Sequence, residues 1–196
     1  MADIKLQRAE TIIGYAFHDK TLLWEALQIA GSGETRIGGR NIPKGNERMA
    51  VYGDSVLSAM LSESWFHKDA TKGQLDGVDW LLSHLKTTGM WTAWRGRLLG
   101  NENLSRVGFS TGLDQCLNMN RFNTVLVSAK MSATLVEAVV GALALDGTVE
   151  DVKKVLENLG ININNMVKST TFILSNRVSC VASGHVARHC LHVNVA

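Results

Sequence analysis

Apolar residues recur at helical spacing along most of the chain, and the breaks between them are marked by glycine or by capping side chains. Residues Ile4 to Ile13 form a first short amphipathic segment, ended by Gly14. Asp19 is placed to cap a second helix with Leu22, Leu23, Ala26 and Leu27 on its apolar side. Gly31 to Gly45 is a glycine-rich loop carrying Arg36, Arg40 and Lys44. Those cations can reach a phosphate, although a solvated loop is the usual state of such charges. A long helix is expected from about Glu47 to His67. Thr71 and Gln74 have capping-box spacing for the next segment, whose stripe is Trp80, Leu81, Leu82 and Leu85. Trp91 and Trp94 follow at near-helical spacing, which suits a core or subunit contact more often than a base-stacking platform. Met131 to Leu145 is apolar nearly all round and should be buried. Thr148, with Asp151 as its capping partner, opens a last amphipathic helix that turns Val152, Val155, Leu156 and Leu159 inward.

Two carboxylates interrupt this pattern. Asp54 lies in an apolar run, between Met49, Ala50, Val51, Tyr52 and Val56, Leu57, Met60, Leu61. An acid there is costly to bury without a cation, a metal or several hydrogen bonds. Glu47 stands seven residues earlier, two turns back along the same face. Glu137 is the only charge between Met131 and Leu145, aligned with Thr134 and Gly141, and it needs a partner or a shifted pKa. A plainer alternative is a solvated Glu47 and an Asp54 bonded to nearby backbone.

The wording of these stretches resembles the ribonuclease III family. Asn46-Glu47-Arg48-Met49-Ala50-Val51-Tyr52-Gly53-Asp54-Ser55-Val56-Leu57 is similar to that family's signature, N-E-R-L-E-F-L-G-D-A-V-L. Glu137, Ala138, Gly141 and Ala142 match its second pattern, Asp-x-x-Glu-Ala-x-x-Gly-Ala. The opening Gly14-Tyr15-Ala16-Phe17 and the helix after it match as well, and the likeness runs in order over roughly residues 4 to 160. The stretch Arg95 to Val107 resembles a family pattern in which Asn101 would cap a helix that Gly112, Leu113 and Asp114 end.

The resemblance implies an all-α fold and a homodimer built around the signature helix. It implies metal-assisted hydrolysis of double-stranded RNA, with four carboxylates holding Mg²⁺ or Mn²⁺. Asp54 and Glu137 would be metal ligands, and Glu47, Asp54 and Glu137 the catalytic acids. Two departures stand out. Ala50 occupies the place of one metal-binding Glu, and Thr134 the place of an Asp. A methyl group binds no cation and a hydroxyl is a weak neutral ligand, so metal affinity and cleavage are expected to be impaired or lost. A slow or Mn²⁺-preferring double-strand-specific endoribonuclease and a structural ribonucleoprotein subunit are the alternatives, as is a heterodimer with an active partner. Val51 takes the place of the family's dimer-inserting aromatic, so a smaller or remodelled contact is expected.

Composition narrows the setting. The 196 residues are 45% hydrophobic and 19% charged, with a single proline, as suits a helical globular chain. We expect residues 1–160 to be one domain and 161–196 a short tail, with no room for the double-stranded-RNA-binding domain many family members carry. Net charge is only +2 and no basic patch is plain, which argues against tight autonomous RNA binding. No apolar run reaches the roughly 20 residues that span a bilayer, and the N-terminus lacks a secretory core. A cytoplasmic or nuclear home is expected, with a mitochondrial form left open. Cys116, Cys180 and Cys190 fit a reducing compartment. In the tail, Cys180, His185, His189, Cys190 and His192 are zinc-type ligands in an order that matches no recognised knuckle, so a strand-like or loose tail is the expectation.

Overall fold

The computed structural model describes residues 2–70, 88–120 and 126–163. The expected cap at Thr71 and Gln74, the Trp80–Leu85 stripe and the Cys/His tail lie outside the described residues. Seven α-helices are described: α1 Ala2–Ile13, α2 Lys20–Ala26, α3 Glu47–Ala70, α4 Thr88–Leu99, α5 Asn101–Thr111, α6 Ala129–Asp146 and α7 Val149–Asn158. A 3₁₀ turn covers Leu113–Cys116. The elements belong to one unit, Met1–Ile161.

α6 is the axis of the packing. It lies against α2, α3, α5 and α7, which is why its sequence is apolar on every side. Leu135, Val136, Ala138, Val139, Val140, Ala142 and Leu143 are all fully buried. Each large side chain removed from water in this way stabilises the fold by about 1.5–3 kcal/mol.

The α3–α6 contact is the most extensive between described elements, and glycine makes it possible. A Cβ on Gly53 would stand 1.8 Å from the Glu137 carbonyl oxygen, and one on Gly141 would stand 2.5 Å from that of Met49. The two backbones therefore touch at adjacent turns. This places Asp54, the neighbour of Gly53, beside the turn of α6 that carries Glu137.

A buried polar knot sets where α3 begins. Asn46 donates its side-chain amide to the Ala26 carbonyl and its backbone N–H to the Gln28 carbonyl, each at 2.8 Å. Gln28 is fully buried, donates to the Trp24 carbonyl and accepts from the Asn118 side chain, both at 2.8 Å. The knot leaves these buried amides paired, as burial requires. At the far end of α6, the Asp146 carboxylate accepts from the backbone N–H groups of His18 and Asp19 at 2.8 Å and from the Tyr15 hydroxyl at 3.0 Å. Burial pushes that carboxyl up, but these donors outweigh it and hold it below the usual Asp range.

Several local expectations are met for their stated reasons. Gly14 follows α1 with φ of +71°, and Gly112 closes α5 in the left-handed region at +75°. Asp19 accepts from the Thr21 N–H at α2, and Thr148 and Asp151 form a reciprocal capping box at α7. Asn101, in contrast, is not a cap. Gly100 holds that position without a side-chain bond, and Asn101 is already in the first turn. The corner between α4 and α5 is the cause, since a Cβ on Gly100 would lie 2.1 Å from the Gly96 carbonyl oxygen.

The Gly31–Gly45 loop is also more ordered than expected. Arg36–Ile37 pairs antiparallel with Arg40–Asn41 across Gly38 and Gly39, both at positive φ. Arg40 is ion-paired with the buried Glu25 at 2.6 Å while its own side chain remains 41% exposed. Trp91 meets Trp65 of α3 with ring centroids 5.8 Å apart, so this ring serves an intramolecular contact. No helix among the described residues is long and apolar enough to cross a membrane.

Candidate functional site

The predicted acids converge. Glu47, Asp54 and Glu137 all line one open cavity of about 700 Å³ between α3 and the start of α6. Ala50 and Thr134 line it too, as do Lys130 and the apolar Ile29, Met119 and Met131. Glu47 is exposed, Asp54, Thr134 and Glu137 are half-buried, and Ala50 is buried with its methyl in the cavity wall. The long reach of helical period and the Gly53–Gly141 crossing together account for this meeting of distant positions.

Asp54 has a partner that the sequence did not single out. A single nitrogen of Arg95, Nη2, donates to both carboxylate oxygens, at 3.0 and 2.8 Å. Arg95 Nε donates to the Ser58 hydroxyl at 3.1 Å. Asp54 and Ser58 are one helical turn apart on α3 and face α4 together. The pair is partly open to water, with side-chain exposures of 43% for Arg95 and 35% for Asp54. A signal for this was present in principle: an Asp in an apolar run followed four residues later by Ser asks for a forked donor. Nothing in the sequence, however, selects Arg95 over the other cations of the chain.

Glu137 is perturbed most. Burial pushes its carboxyl up to about 7, the negative charge of Asp54 adds to the rise, and the positive charge of Arg95 opposes it. The sign for stability follows directly. The folded chain binds this proton more tightly than the unfolded one, so the contribution is full below the ordinary 4.5 and is lost as pH rises through about 7. Replacing Glu137 with Gln should remove that slope in metal-free buffer. Discounted for solvent access, the variant should gain about 1 kcal/mol on the parent between pH 5 and pH 8. Urea unfolding at the two pH values checks this, and a parallel pair of pH profiles would refute it.

Among the described residues, no group of three or more His, Cys, Asp or Glu side chains is arranged to hold a metal ion. Chemically, the cavity offers one acid neutralised by a guanidinium, one acid easily protonated near neutrality, an exposed acid, and the exposed Lys130 at the rim.

Comparison with known proteins places this geometry in a lineage. Ribonuclease 3 of Rhodopirellula baltica is 30% identical over 153 residues, covering 76% of this chain and 49% of that protein. Ribonuclease 3 of Caldanaerobacter subterraneus is 30% identical over 155 residues, covering 76% and 60%. The chain thus spans about half to three-fifths of the length of these relatives. Among solved structures, a nuclease domain of ribonuclease III from Campylobacter jejuni superposes with a TM-score of 0.61. It is 23% identical and covers 79% of this chain and 94% of that one, and its structure reports flexibility in a region involved in dimer formation. This likeness shows the shared helical fold. The family model for the ribonuclease III domain matches residues 47–148, more than half of the chain and both acidic stretches that meet in the cavity. From the family model and the relatives together, this chain belongs to the ribonuclease III family.

Proposed function

We propose that this chain is a ribonuclease III-type domain that binds double-stranded RNA in RNA processing, with metal-dependent phosphodiester cleavage impaired or lost. The observation that carries the reading is the state of the cavity's central acid. Both oxygens of Asp54 accept from Arg95, while Ala50 presents a methyl where the family resemblance calls for a carboxylate. Thr134 adds only a neutral hydroxyl. Mg²⁺ demands several oxygen ligands in near-octahedral order. Asp54, Glu137 and the exposed Glu47 do not fit a two-ion centre.

A second reading, a slow Mn²⁺-preferring endoribonuclease, is favoured by a different fact: all three acids still face a single cavity. The proposed assembly is a homodimer through α3, supported by the 71% exposure of Val51 and the 43% exposure of Tyr52 on that helix. A heterodimer or a ribonucleoprotein would use the same face.

Binding to long duplex RNA and to single-stranded RNA of equal length, in millimolar Mg²⁺, tests the proposal. Duplex should be retained more strongly and recovered intact, with affinity falling as salt rises. Equal retention of both RNAs, or none of either, would contradict it.

A further inference from the structure

We propose that Arg95 is the resident cation on Asp54, holding the place there that a divalent ion would need, so that the two compete for one carboxylate. The inference rests on reading the cavity as the family's acidic centre and concerns how that centre is occupied.

The guanidinium approaches Asp54 from the side on which a chelated ion would sit, at hydrogen-bond distance. One nitrogen lies between the two oxygens of Asp54, at 3.0 and 2.8 Å, instead of each oxygen taking its own nitrogen. A cation held side-on by a carboxylate sits on the same side, closer in at about 2.0–2.6 Å, so the two exclude each other. The bond from Nε to Ser58, at 3.1 Å, fixes the guanidinium so that it does not swing away from the acid. The charge also acts beyond its partner, because Arg95 opposes the combined effect of burial and Asp54 on Glu137. One fixed positive charge thus serves Asp54 and Glu137.

The pair is nonetheless open to exchange. Asp54 is 35% exposed and Arg95 43%, so an ion from solvent reaches the carboxylate without the core opening. α4 supplies the cation and α3 the acid. The same ion pair that excludes a metal therefore ties these two helices together, which an ion bound only to α3 and α6 would not do.

The test is Mn²⁺ binding by the full chain, followed by the loss of the free-ion paramagnetic signal, for the parent, Arg95→Gln and Arg95→Gln/Asp54→Asn. Removing the guanidinium should tighten Mn²⁺ binding by at least about tenfold, and the double variant should lose the gain. Equal affinity in parent and Arg95→Gln would overturn the proposal. Should Arg95→Gln fail to fold, the parent compared with Asp54→Asn still decides. The parent's melting temperature should not rise in millimolar Mn²⁺, whereas an Asp54-dependent rise would show that the ion binds with Arg95 in place. The two readings fail separately. Equal Mn²⁺ affinities with duplex RNA bound and intact would remove the competition and keep the proposed function. Asp54-dependent cleavage by the parent, with the tenfold gain in Arg95→Gln, would do the reverse.

Discussion

Alanine in place of Gly53 is expected to cost roughly 3–5 kcal/mol and to leave little folded protein. The added methyl would lie 1.8 Å from the Glu137 carbonyl oxygen and 2.9 Å from the Gly141 amide nitrogen. Both obstacles are backbone of a buried helix, so no side chain can rotate out of the way. α3 and α6 would have to separate along the largest contact of the fold. Alanine's helix propensity favours the change by only about 1 kcal/mol, far less than the overlap costs. Gly96 is the control. It also lies within a helix, and nothing among the described residues is within 4 Å of its missing Cβ. Gly96→Ala should therefore be neutral or stabilise by up to about 1 kcal/mol. Urea unfolding of both variants separates the effects. A Gly53→Ala protein within 1 kcal/mol of the parent would mean that the helices do not cross as described, and that Glu137 is not held beside Asp54.

The second large effect concerns activity. Restoring acids through Ala50→Glu and Thr134→Asp should raise divalent-ion-dependent cleavage of duplex RNA by at least about 100-fold over the parent, corresponding to roughly 3 kcal/mol at the transition state. Both positions face the cavity, where about 700 Å³ is open to receive the longer side chains. Without metal the variant would carry five acids together and should be less stable than the parent, through like-charge repulsion. Millimolar Mn²⁺ should then raise its melting temperature, because the ion binds the folded state alone. A folded double variant that neither binds Mn²⁺ nor cuts would show that the missing acids are not what limits the site.

The parts of the site that were legible in the sequence were those carried by periodicity and cost. Asp54 and Glu137 each stood out as a charge in an apolar helix, and such a charge has to be matched. Their approach to each other also had a visible trace in Gly53 and Gly141, since small residues let backbones touch. What matched Asp54 was not legible. Arg95 lies 41 residues further on in another helix, and its pairing depends on how α4 packs beside α3. The same limit explains Arg40, which reads as a loop cation and is spent on the buried Glu25. Asn101 failed as a cap because a tight α4–α5 corner admits only glycine at the preceding position. Local chemistry set the caps at Asp19 and Thr148.

Single-turnover cleavage of long duplex RNA, with Mg²⁺ and with Mn²⁺, by the parent and by Asp54→Asn, probes the central claim most directly. A cavity whose central acid is already matched by Arg95 should yield no product that depends on Asp54 in either metal. Cutting by the parent that disappears in Asp54→Asn would contradict this and restore the chain to the working nucleases of its family.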